Sequence, residues 1–96
     1  MRDIFVFVTL HAASGHEEAL ATAMRQVIAR TREERGCHFV EGFRSCHDLT
    51  LFYIHSRWVD DAALDAHQAL PHTVRFLDST QALLDRPAQV VRTRPV

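Results

Sequence analysis

The sequence predicts a small antiparallel α+β domain of order β-α-β-β-α-β, and three observations carry that expectation. Residues 3 to 11 (DIFVFVTLH) alternate with a period of two, a strand pattern. A run from Ser14 to Thr31 places Leu20, Ala23, Met24, Val27, Ile28 and Thr31 at helical spacing. Residues 37 to 46 and 50 to 58 then read as two strands separated by a tight HDL turn.

Each element has local chemistry to support it. In the first strand Ile4, Val6, Val8 and Leu10 share one face, and Phe5, Phe7, Thr9 and His11 the other, so both faces are largely apolar. Ser14 with Glu17 three positions on reads as a capping box that starts the first helix. Arg30, Arg32 and Arg35 suit its negative dipole end, and Gly36 reads as its stop. After the hairpin, Asp60 is placed to cap a short helix whose inner positions are Ala63, Leu64, His67 and Leu70. Pro71 ends that helix and suits the first position of the next one. The next helix carries Thr73, Phe76, Leu77, Thr80, Leu83 and Leu84 on one face, up to about Asp85, and residues 88 to 93 make a last strand. This is the ferredoxin-like arrangement, a sheet with its helices on one side. The bare side then holds several hundred Å² of apolar surface, more than soluble monomers usually tolerate. A second copy of the chain is the simplest cover.

Composition narrows the function classes. The 96 residues predict one domain over positions 1 to 96, and a net charge of -1 gives no basic patch to hold nucleic acid. No stretch reaches the ~18 apolar residues of a membrane span, and the opening strand is too short for a signal peptide, so a cytoplasmic location is expected. Cys37 and Cys46 lie near the two ends of one strand. An extended span of that length is roughly 30 Å, far beyond the ~7 Å that a disulfide can bridge, so both read as free thiols.

His67 and His72 stand out. His67 lies on the apolar stripe of its helix, as a core histidine satisfied by a carbonyl would, yet its type suits proton transfer near neutral pH. His72 reads either as a partly exposed helix-start residue or as a second donor. Trp58 at a strand end is a core plug or a ligand wall. The two histidines are five residues apart across Pro71, which is not the i,i+4 spacing that puts two imidazoles on one helix face. No metal site, heme or flavin is therefore expected.

The segments RGCHFVEGFRS and RWVDDAALDAHQALPH resemble the antibiotic biosynthesis monooxygenase family of small dimeric α+β barrels. In the second segment Trp58, Asp60, Ala63, His67 and His72 match the family's Trp-x-Asp-x-x-Ala-x-x-x-His-x-x-x-x-His pattern. The family includes cofactor-independent oxygenases of quinols and polyketide phenols, isomerases, and heme degraders. The resemblance implies a homodimer with a small apolar pocket, His67 as base, His72 as a possible donor, and Trp58, Ser56 and Phe76 against the ligand. The heme branch is disfavoured, because its pocket tryptophan falls at His67 and its iron-ligating histidine at Leu77. One departure stands out: the family's usual Glu two places before the Trp is here Ser56. The expected function is cofactor-independent oxygenation of a small electron-rich aromatic. The alternatives are an isomerase using the same histidine, or a non-catalytic small-molecule-binding dimer.

Overall fold

A computed structural model describes residues 2–96. Its elements are β1 (Ile4–His11), α1 (Glu17–Thr31), β2 (Cys37–Arg44), β3 (Leu51–Trp58), α2 (Asp61–Ala69), α3 (Pro71–Thr80) and β4 (Gln89–Thr93). The four strands form one sheet in the order β2-β3-β1-β4, with every neighbouring pair antiparallel. The ferredoxin-like expectation holds.

Strand alternation decides what the sheet covers. Register pairs Val6 with Ser56 and Val8 with Ile54, so Ile4, Val6, Leu10, Phe52, Ile54, Ser56 and Trp58 point to the helical side. There they meet Leu20, Met24, Val27 and Ile28 of α1 and Leu64 of α2, all buried. Fully burying each large side chain of this kind is worth roughly 1.5–3 kcal/mol. Trp58, at 1% exposure, is the largest of them.

The opposite face carries Phe5, Phe7, Phe39, Phe43, Tyr53, His55 and Val91, and among the described residues no helix packs on it. Phe7 and Phe43 are 47% and 51% exposed, the bare apolar face expected from the first strand.

Two local expectations about α1 are corrected. The capping box does not form: the helix begins at Glu17 with His16 at its N-cap and no side-chain cap. Gly15 takes φ +87 and turns the chain there, and the Glu17 carboxylate accepts from the Gly15 N–H instead. At the other end the helix stops at Thr31, five positions before Gly36. The chain continues through tight backbone turns, with Glu33 N–H to Arg30, Glu34 N–H to Thr31 and Cys37 N–H to Glu34. Gly36 is needed for space rather than for a left-handed conformation. A Cβ there would lie 2.3 Å from the Ala63 Cβ of α2.

The proline break behaves as expected. The Asp60 carboxylate caps α2 by accepting from the Ala63 N–H at 2.9 Å. Leu70, extended at ψ 145, is both the C-cap of α2 and the N-cap of α3, and Pro71 opens α3. α3 ends at Thr80, short of the expected Asp85, because a 3-10 turn at Gln81–Leu83 hands the chain to an extended Leu84. Leu84 bridges to Ala12, which fixes the route into β4.

The Gly36 contact gives a direct test. Gly36→Ala should force the α1–β2 turn away from α2 and lower stability by ~1–3 kcal/mol, the usual cost of overpacking. Urea unfolding followed by circular dichroism would measure it.

Candidate functional site

The cavity under the helices is small and mostly apolar. It measures about 140 Å³ and is walled by Val6, Val8, Ile54, Trp58, Phe76 and Val90, among others. Its polar side chains include Ser56, His67, Gln68 and Thr73. Leu77 and Val90, 45% and 52% exposed, stand at its solvent edge. Strand alternation supplies the apolar wall, and the turn from α2 into α3 at Pro71 supplies His67, Gln68 and Thr73.

Trp58 and Ser56 are adjacent inward positions of β3, and the Trp58 indole N–H donates to Ser56 Oγ at 3.0 Å. Ser56 is 5% exposed, so the indole proton is satisfied inside the core, as a buried Trp requires. The His67 ring lies against the Trp58 ring, with centroids 4.5 Å apart.

The residue that sequence reasoning missed is Glu34. Its Oε2 lies 2.8 Å from His67 Nδ1 and 2.8 Å from His72 Nε2. A carboxylate only accepts hydrogen bonds, so both nitrogens carry hydrogen and donate to it. Thr73 Oγ1 lies 3.3 Å from the same His67 nitrogen. The three side chains are shielded, at 12% exposure for Glu34, 16% for His67 and 18% for His72. They converge because the turns after α1 swing Glu34 inward while the extended Leu70 sets α3 at an angle to α2.

This geometry answers the departure at Ser56. A carboxylate does order the histidine, and it comes from the α1–β2 turn instead of β3. It also overturns the spacing argument that kept His67 and His72 apart. Their ring centroids are 6.2 Å apart, because the proline break folds the second helix back toward the first. The only signal for Glu34 in the sequence is its place in the charged run TREERG, which reads as solvated surface.

With Nδ1–H held by Glu34, a neutral His67 has Nε2 as its free acceptor nitrogen, the tautomer a general base requires. Ser56, Trp58, His67 and Phe76 all line the cavity. His72 does not; it lines a separate surface groove between α1 and α3, with Arg30 and Arg75. It is linked to His67 through the shared Glu34 oxygen.

Cys37, directly after the Glu34 turn, is half-buried and unpaired. Burial, then the nearby Glu34 carboxylate, pushes its thiol up to about 11. Such a thiol is a poor nucleophile at neutral pH.

Comparison with known proteins agrees with this architecture. No functionally curated protein matches the sequence. Among solved structures, PA3566 from Pseudomonas aeruginosa shares 34% identity at a TM-score of 0.92, covering 100% of this chain and 96% of that one. An antibiotic biosynthesis monooxygenase of known structure is 25% identical at a TM-score of 0.91, over 97% of this chain and 98% of that one. Rv0793 from Mycobacterium tuberculosis, at 24% identity and a TM-score of 0.93 over 98% and 95% of the two chains, shares the fold. The model of the antibiotic biosynthesis monooxygenase family matches residues 3–79, the span holding the sheet's first three strands, His67 and Glu34. The chain belongs to that family.

Proposed function

We propose that the protein is a cofactor-independent monooxygenase of a small, electron-rich phenol or quinol, with His67 as its base. The observation that supports it most is the Glu34–His67 pair beside an apolar cavity. A cavity near ~150 Å³ lined by aliphatic and aromatic side chains accommodates about one benzene ring. The cavity here, at about 140 Å³, favours a single-ring substrate over a fused polyketide phenol.

The reaction asks for few groups. His67 Nε2 takes the phenolic proton, and the resulting phenolate passes an electron to O₂. The two radicals combine at a ring carbon, and the peroxide formed takes the proton back from His67 to give a hydroperoxide. Loss of water then leaves a quinone, so one oxygen atom enters the ring and the other departs as water. Apolar walls protect the intermediate from solvent. Glu34 holds the base in its tautomer and stabilises the imidazolium that forms, while Trp58 packs against the ring of the base.

Oxygen uptake with a panel of one-ring hydroquinones and phenols tests the reaction. Consumption of O₂ with quinone formation is expected; exchange of a substrate proton with solvent deuterium and no O₂ uptake would favour the isomerase. Saturable binding with neither would leave a binding protein. On a confirmed substrate, His67→Ala should lower kcat/KM by ~10²–10⁴-fold. Glu34→Gln should lower it less, while His16→Ala, outside the site, should leave it near the parent value.

The reading includes a homodimer formed through the bare sheet face. Phe5, Phe7 and Phe39 surround the His55 ring, with Phe7 stacked on it at 4.4 Å. His55 Nε2 is buried there without a hydrogen-bond partner. Light scattering should give twice the 11.0 kDa chain mass, and the unfolding midpoint should rise with protein concentration. Phe7→Glu should give an unstable or aggregating chain. A stable monomer with a concentration-independent midpoint would defeat the dimer.

A further inference from the structure

Glu34, His67 and His72 present one carboxylate oxygen and two imidazole nitrogens, all within 4.8 Å of one another. Among the described residues they are the group with ligand atoms so placed. We infer that this cluster binds a divalent transition ion of the zinc type, and that the bound ion switches off the base.

The donor set selects the ion. Two imidazoles and one carboxylate are a three-ligand set for tetrahedral zinc with its fourth position open. Magnesium and calcium prefer several oxygen ligands, and the cluster offers one carboxylate. Bonds of ~2.0–2.1 Å in a tetrahedron place ligand atoms about 3.3 Å apart. The two 2.8 Å nitrogen–oxygen contacts would therefore open by about half an ångström, and the two imidazole nitrogens, within 4.8 Å of each other, would close by up to about 1.5 Å. Movements of that size fit a cluster built from two helix ends and a turn. His72 also lines the groove between α1 and α3, which gives an ion a route from solvent that does not pass through the cavity.

Proton bookkeeping gives the consequence. The ion takes the lone pair of His67 Nδ1, the nitrogen whose hydrogen Glu34 now holds. That hydrogen leaves Nδ1, and the neutral metal-bound ring carries its hydrogen on Nε2. A ring protonated at Nε2 has no lone pair for a phenol. The metal and the active base are therefore mutually exclusive states of one histidine. The binding half of this inference stands apart from the proposed reaction; the silencing half rests on it.

The test begins with chelator-treated wild-type protein, titrated with Co²⁺ and followed by visible absorption, and with Zn²⁺ followed by calorimetry. Saturation at one ion per chain, intense tetrahedral Co²⁺ bands, and no response to Mg²⁺ or Ca²⁺ are expected. His72→Ala and Glu34→Gln should each weaken Zn²⁺ binding at least tenfold, and His16→Ala should not. Because the wild-type spectra stand alone, a variant that misfolds does not blunt the test. Lack of saturable binding, or binding untouched by both cluster substitutions, would overturn the site. If oxygen uptake is established, Zn²⁺ should abolish it and chelator restore it. Full turnover with the site occupied would overturn the silencing while leaving the oxygenase reading intact.

Discussion

One carboxylate oxygen organises the functional half of the molecule. Glu34 Oε2 accepts from His67 on α2 and His72 on α3, so a single acceptor ties three segments that no strand connects directly. A hydrogen bond to a charged partner is typically worth ~1.5–3 kcal/mol when shielded. The same carboxylate fixes the tautomer of His67, so one group both ties the segments together and orients the imidazole. Its placement depends in turn on Gly36, whose missing Cβ lets the turn that carries Glu34 approach α2 at Ala63.

The two faces of the sheet have separate tasks. The helical face is densely packed around Trp58 and opens at the cavity. The other face collects aromatic side chains from β1, β2 and β3 around the His55 ring. At the β4 edge, Arg92 bonds to Asp61 and Asp65, and Arg94 to Asp61. These exposed pairs contribute little each. Together they set α2 over the end of the strand whose Val90 borders the cavity.

Much of this was legible in the sequence, because periodicity reports local geometry. The two-residue alternation of β1 gave both of its faces, and Asp60 and Pro71 gave the helix boundaries around the site. What failed was either irregular or long-range. Ser14 looked like a cap, but the backbone of Gly15 turned the chain before the box could close. Gly36 looked like a helix stop because turn signals do not distinguish conformation from clearance. Glu34 was invisible for a deeper reason. Its partners lie 33 and 38 positions away, and a charged residue among arginines carries no mark of its eventual neighbours.

The division of labour around the cavity bears on how such a protein diversifies. Its walls are aliphatic side chains drawn largely from strands, whereas the hydrogen-bonded Glu34–His67–His72 cluster is built from the α1–β2 turn and the α2–α3 corner. Exchanging Val8, Ile54 or Val90 for neighbours of other sizes would reshape the space without touching Glu34 or His67. The size of the space and the hydrogen-bonded cluster beside it are therefore set by different side chains, and either can change while the other stays the same.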